Sequence, residues 1–296
     1  MSGRALNASD LSPFGAEVDI DLSAPLDEPQ KDAIRDLLNA RGILLFRGQT
    51  LADADQSRVM GLFGNVLVEE GGHREISRDG NLGCGQLLFH SDLAFTPEPF
   101  KLLSLYALEV SEGTETMFAS CERAVDSLPL DLRARIAQLR ATNVIPPSQS
   151  ERLVSHGSPT NVPQATRDLL VNHPVTGRSM LSISEQQTAR IEDLAPEDSD
   201  ALLADLFAAL YSPGNVYRHL WRNGDLVVWD NRALQHARPD QSATPRRRMR
   251  RTAVADKTFF QLCPQFAPDD QRIAEWGVGG LLDLTGSESL ETLASP

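Results

Sequence analysis

An imidazole and a carboxylate two residues apart, His90 and Asp92, stand at the end of the apolar run Leu87-Leu88-Phe89. Side chains alternate along a strand, so residues two apart share a face, and both groups would point the same way from one strand end. There they can grip one divalent ion. A second imidazole arriving from far along the chain would complete a set of two His and one carboxylate. That set leaves coordination positions open and is the donor pattern of non-haem Fe(II) oxygenases. Among six His and 41 acidic residues a chance His-x-Asp carries little weight alone. The weight falls on whether the rest of the chain supplies the missing parts.

The segment from Asn223 to His236 supplies a third ligand. Asn223-Gly224 reads as a hairpin turn, Leu226-Val227-Val228-Trp229 as a buried strand, and Asp230-Asn231-Arg232 as a polar corner that braces the approach to His236. Next comes Arg246-Arg247-Arg248-Met249-Arg250-Arg251. A solvated basic run or a nucleic-acid patch is the bland alternative. As a strand, it places Arg247, Met249 and Arg251 on one face and Arg246, Arg248 and Arg250 on the other. A guanidinium directed into a barrel needs an anion, and its planar fork suits a carboxylate.

The elements that must position these groups follow from periodicity. Residues 1–26 read as an irregular arm with a short strand near 18–22. Residues 28–40 carry Ala33, Ile34, Leu37 and Leu38 at helical spacing, stopped by Gly42. Ile43-Leu44-Leu45-Phe46 reads as a buried strand and 52–63 as a second helix. Residues 66–85, with glycines at 71, 72, 80, 83 and 85, read as a long loop and a lid before the metal strand. Strands are expected at 87–92, 101–110, 116–118, 179–183, 216–220, 226–229 and 250–255. Helices are expected at 124–139, interrupted near Pro129, and at 198–210, where Leu202, Leu203, Leu206 and Leu210 share a face. Many short strands with a few helices between them give a mainly β fold with flanking helices, a jelly roll or small barrel. No Gly-rich phosphate loop is present.

Composition narrows the partners. A net charge of −13 argues against non-specific nucleic-acid binding and against an anionic membrane surface. No apolar run has the length to span a bilayer. Three cysteines without motif spacing imply neither a disulfide framework nor a zinc site. The polar N-terminus lacks an apolar signal core, so the expected compartment is the cytoplasm.

Taken in order, His90-Ser91-Asp92, Glu112-Gly113-Thr114-Glu115-Thr116, Trp229-Asp230-Asn231-Arg232 with His236, and Arg247 with Arg251 resemble the TauD/TfdA family over about residues 43–260. Its members are Fe(II)- and 2-oxoglutarate-dependent dioxygenases. The resemblance implies a double-stranded β-helix, a jelly roll, in a single domain over 1–296, with 264–296 a C-terminal extension. It implies His90, Asp92 and His236 as the catalytic metal ligands. Thr116 and Arg247 would hold the far carboxylate of 2-oxoglutarate. Thr114, standing where the family motif has its second Gly, rivals Thr116. Arg251 would lie nearer the metal, serving the C1 carboxylate or an anionic substrate group, and Gln86, Leu93 and Phe95 would face substrate.

The implied cofactors are Fe(II), 2-oxoglutarate and O2. The implied reaction oxidises a C–H bond of a small anionic molecule (a sulfonate, an aryloxyalkanoate, or another carboxylic or amino acid), releasing succinate and CO2. Asp92 disfavours a halogenase, which would lack that ligand. A homo-oligomer is expected by family analogy alone. The alternative from another class is a catalytically silent metal-binding jelly roll. Arg247 and the open coordination positions disfavour it, since a structural metal is fully ligated. His156, His173 and His219, outside any paired motif, are read as surface or structural residues, and His73 is the lid loop's only His.

Overall fold

The computed structural model describes residues 6–67, 74–77, 83–146, 148–155 and 162–264. The chain begins β1 (Asn7–Asp10), β2 (Ala16–Asp19), α1 (Glu28–Arg41), β3 (Ile43–Phe46), α2 (Asp53–Met60), β4 (Val66–Leu67), β5 (Arg74–Ser77), β6 (Leu87–His90), β7 (Leu102–Val110) and β8 (Glu115–Ser120). It continues α3 (Cys121–Ser127), α4 (Leu130–Ile136), β9 (Arg140–Val144), β10 (Gln164–Asp168), β11 (Leu170–Asn172), β12 (Ser179–Leu181), β13 (Thr188–Ile191) and α5 (Pro196–Leu210). It closes with β14 (Val216–Leu220), β15 (Leu226–Asp230), β16 (Leu234–Arg238), β17 (Arg247–Val254) and α6 (Phe259–Leu262). The fold is mainly β with flanking helices.

Two sheets carry the architecture. The larger runs β1-β2-β3-β15-β7-β17-β4, with β5 also paired to β17, and the smaller runs β14-β8-β16-β6. The continuous apolar runs of β3 and β15 have one cause: both of their faces are covered. Ile43, Leu45, Val227 and Trp229 pack with Phe118, Tyr217 and Leu234 of the smaller sheet. Leu44, Phe46, Leu226 and Val228 pack on the other side with Ile34 and Leu38 of α1 and Val59 and Met60 of α2. Each such side chain contributes about 1.5–3 kcal/mol on burial.

Local signals set the helix ends. Asp27 and Gln30 form a capping box at the start of α1. Gly42 takes φ 75°, and its N–H bonds Leu38 O at 2.7 Å, ending the helix as β3 begins. Pro129 splits the expected 124–139 helix into α3 and α4, since it has no N–H to donate and crowds the preceding turn.

Three further expectations change. The N-terminal arm is a hairpin, β1 with β2, and β2 pairs in parallel with β3. The 66–85 segment contains β4 and β5, both paired to β17, so it is partly sheet rather than all loop. The last strand begins at Arg247, three residues earlier than its apolar content suggested. Between β8 and β14, helices α3–α5 and strands β9–β13 form an inserted layer around Leu128, Ile136, Leu202, Leu206 and Phe207. Among the described residues, no helix is long and apolar enough to cross a membrane.

Candidate active site

β6 ends at His90, and β16 lies antiparallel beside it with His236 opposite His90. The two rings stand 4.2 Å apart, centroid to centroid. Asp92 is not on the strand. It sits in a turn closed by Ala94 N–H to Ser91 O at 3.2 Å and Thr96 N–H to Leu93 O at 2.9 Å. Leu93 takes φ 62°, a left-handed conformation that costs a non-glycine residue about 1–2 kcal/mol. Strand alternation therefore does not orient Asp92: β6 aims His90, and the turn aims Asp92. They still converge. His90 Nε2 and His236 Nε2 lie 3.3 and 3.6 Å from Asp92 Oδ1, and one ligand atom from each residue lies within 4.8 Å of the other two.

Neighbours fix each group. A carbonyl only accepts, so the 2.9 Å contact between His90 Nδ1 and Leu88 O places the proton on Nδ1 and leaves the Nε2 lone pair toward Asp92. His236 packs against Trp229, centroids 5.1 Å apart. Asn231 holds the Asp92 backbone at both ends: its Oδ1 accepts from Asp92 N–H at 2.8 Å, and its Nδ2 donates to Asp92 O at 3.0 Å and to Phe100 O at 2.8 Å. The polar corner thus braces the carboxylate ligand as well as the strand leading to His236. Arg251 donates to Asp92 Oδ2, and its guanidinium stands 5.5 Å from the Phe100 ring.

The electrostatics favour a cation at this point. Burial opposes Asp92's charge, but Arg251 and the two imidazoles hold its carboxyl well below the usual range. Burial, aided by His90, pushes His236 down to about 3, so its imidazole is neutral near pH 7. A neutral imidazole and an ionised carboxylate are the forms that ligate metal.

Farther along the same faces lie the other predicted residues. Arg247 is buried, and its Nε and Nη1 have no hydrogen-bond partner among the described residues. Burial lowers it to about 9, with Arg238 adding to the shift. Thr116, also buried, is in phase along β8 with Phe118, which pairs with His236; its hydroxyl accepts from Trp221 Nε1 at 2.9 Å. The Thr114 hydroxyl instead donates to Ser111 O at 2.8 Å inside its turn. Leu93 and Phe95 join Ile145, Val162, Phe259, Phe260 and Leu262 in an apolar cluster beside the Asp92 turn. Gln86 is exposed, immediately before β6.

Other polar residues serve the scaffold. His173 Nε2 donates to Asp230 Oδ2 at 2.9 Å, and Arg232 binds both oxygens of Asp230 at 3.1 and 2.7 Å. This buried network ties the β11–β12 hairpin of the inserted layer to the corner before His236. His219 lies with Nε2 3.2 Å from Asp225 Oδ2. Arg250, expected on the outer face, is buried there: it donates to Gln56 Oε1 at 2.7 Å, to Leu51 O at 2.9 Å and to Asp53, anchoring α2. A cavity of about 250 Å³ lies between the smaller sheet and the inserted layer, lined by Ser91, Asn231, Arg232 and Gln235 rather than by the imidazoles. His73, His156 and 265–296 lie outside the described residues.

Sequence reasoning missed the burial of Arg238 and of Arg250 and the reach of Asn231 to Asp92. For Arg238 a signal existed: a charge two residues past a candidate ligand in an otherwise enclosed strand.

Comparison with known proteins agrees with the motif reading. The family described as taurine catabolism dioxygenase TauD, TfdA family matches residues 7–253. An alkylsulfatase of Acinetobacter baylyi is 30% identical over 262 residues, 82% of each chain. The 2,4-dichlorophenoxyacetate dioxygenase of Cupriavidus pinatubonensis, which is alpha-ketoglutarate-dependent, is 29% identical over 276 residues, 82% of this chain and 95% of the relative. Among solved structures, AAD-2 in complex with Mn(II) and N-oxalylglycine superposes with a TM-score of 0.72 at 28% identity, covering 86% of this chain and 99% of that one. A match to the family over nearly the whole described chain, shared by sequence and by fold, means that the chain belongs to the TauD/TfdA family of Fe(II)- and 2-oxoglutarate-dependent dioxygenases.

Proposed function

We propose that this chain oxidises a C–H bond of a small organic anion with an apolar body, such as an alkyl sulfate, an alkyl sulfonate or an aryloxyalkanoate, with release of succinate and CO2. His90, Asp92 and His236 hold Fe(II), and Arg247 with Thr116 holds the far carboxylate of 2-oxoglutarate. The observation that carries this reading is the convergence of two imidazoles and one carboxylate within 4.8 Å. Two nitrogens and one oxygen suit a ferrous ion with positions left over for co-substrate and O2. The unpartnered Nε and Nη1 of buried Arg247 suit a carboxylate, because a buried guanidinium without an anion is costly. Two packed sheets with His90 on β6 and His236 on β16 support a jelly-roll core in a single domain, to which the family match over 7–253 corresponds.

When bound, Fe(II) with 2-oxoglutarate supplies the oxidising power, and the protein supplies its placement. His90, locked by Leu88 O, and Asp92, locked by Asn231, hold two donors in fixed directions. Arg251 keeps Asp92 ionised. The Leu93–Phe95–Phe259–Phe260 cluster offers an apolar wall next to the ligand turn, fit to pack an alkyl or aryl body and exclude water. Arg251, which donates to Asp92 Oδ2, brings a positive charge to the ligand turn for a substrate head group. An alkylsulfatase and an aryloxyacetate dioxygenase among the relatives point to the same class. The test is succinate formation from 2-oxoglutarate with Fe(II) and ascorbate over a panel of alkyl sulfates, alkyl sulfonates, aryloxyacetates and amino acids. Stimulation by amphiphilic anions supports the proposal; stimulation by small polar amino acids alone contradicts the substrate class.

A further inference from the structure

Trp221 directly follows β14 and is buried. Its backbone N–H bonds Thr114 O at 2.9 Å, which carries the β14–β8 pairing one residue beyond the strand. Its indole Nε1 donates to Thr116 Oγ1, again at 2.9 Å. Two further contacts set the ring. His219 meets it edge-on, with centroids 4.4 Å apart and planes at 89°, and Phe100, Leu103 and Phe118 share its apolar cluster. The His219 ring is held in turn by Tyr217, whose hydroxyl oxygen lies 3.1 Å from Nδ1.

The direction of the Trp221–Thr116 bond follows from the two groups. An indole N–H only donates, so the Thr116 oxygen accepts. A hydroxyl has one proton and two lone pairs; the indole takes a lone pair and leaves the proton for a different acceptor. An N–H donated to that oxygen also polarises its O–H, which strengthens the hydroxyl as a donor. We infer that Trp221 is a positioning residue for the co-substrate: it holds the Thr116 hydroxyl as a hydrogen-bond donor to the far carboxylate of 2-oxoglutarate. The inference rests on the assignment of Thr116 above. The competing role is packing, since Trp221 fills the apolar cluster and its backbone closes the end of β14 on β8.

Calorimetric titration of the Mn(II)-loaded full chain separates these roles without turnover. The probes are 2-oxoglutarate and 2-oxobutanoate, which lacks the far carboxylate; the variants are T116V, W221F and the two combined. T116V should weaken 2-oxoglutarate by about ten- to hundredfold and W221F by about three- to tenfold, the sizes of a charge-assisted and a neutral hydrogen bond. Both should leave 2-oxobutanoate within about twofold, and W221F should add less than about twofold to T116V, because the hydroxyl it acts through is gone. If W221F weakens 2-oxoglutarate as much in T116V as in wild type, or weakens both ligands equally, Trp221 acts by packing and the inference is overturned. If T116V weakens 2-oxoglutarate and W221F does not, the inference is wrong and the Thr116 assignment stands. If T116V has no effect, that assignment fails first and the inference falls with it. Should W221F not fold, the Trp221 indole N–H resonance of the Zn(II)-loaded chain decides. A shift on adding 2-oxoglutarate that is lost in T116V supports the inference; a shift of the same size in T116V, or none in wild type, overturns it.

Discussion

Asn231→Ala removes the clamp on the carboxylate ligand without touching any metal-ligating atom. The lost contacts are Asn231 Oδ1 with Asp92 N–H and Asn231 Nδ2 with the carbonyls of Asp92 and Phe100, at 2.8, 3.0 and 2.8 Å. Asn231 is fully buried. At roughly 1 kcal/mol per bond, the metal-free protein should lose about 3 kcal/mol. Asp92 follows the strand in a turn whose next residue, Leu93, is already in a left-handed conformation, so once the clamp is gone the carboxylate is left to the two turn bonds and to Arg251. Loss of such outer contacts lowers metal affinity by about ten- to hundredfold. Urea unfolding of the metal-free protein gives the first number, and Mn(II) titration at a urea-free temperature well below the transition gives the second. A folded N231A variant that binds Mn(II) within twofold of wild type would refute the claim that Asp92 is aimed by Asn231.

Four further outcomes follow from the same geometry. D92A and H236A should each lose Fe(II) binding and succinate formation, checked by metal analysis after desalting and by succinate assay; full 2-oxoglutarate-dependent turnover in D92A contradicts the ligand set. R247M should leave metal-free stability unchanged or higher, because it removes a buried charge whose Nε and Nη1 are unpartnered among the described residues, while abolishing 2-oxoglutarate binding; thermal melts and calorimetry report the two effects. R250A should do the reverse, costing about 3 kcal/mol by breaking the α2 anchor while the folded fraction keeps its 2-oxoglutarate affinity. His236 has its folded pKa lowered to about 3, so between that value and the unfolded 6.5 the unfolded chain binds more protons. Metal-free stability should therefore fall as pH drops from 6.5 toward 3, and H236Q should flatten that limb. Asp230, lowered to about 2 against burial by His173 and Arg232, adds a loss only below about pH 4.

The convergence of the two imidazoles was legible because strand and corner signals surround them: an apolar run before His90, and an apolar run with a polar corner before His236. The route to Asp92 was not legible. Alternation gave the right meeting for the wrong local reason, since positive φ at Leu93 is not expected of a residue with a Cβ and arises from a turn held by distant Asn231. Gly42 and Pro129 declared their helix boundaries because each acts through its own backbone. β1 did not, because it is exposed along its length, and β5 did not, because its partner β17 lies far away in sequence. Arg250 was placed on the correct face, but its burial needed α2 to lie across that face.

The most direct test of the central assignment is an anomalous-difference map from crystals grown with Mn(II) and N-oxalylglycine, a pair of stand-ins for Fe(II) and 2-oxoglutarate. The account predicts one metal peak bound by His90, Asp92 and His236, with the analogue's far carboxylate on Arg247. A metal peak elsewhere, or a far carboxylate turned away from Arg247, contradicts it.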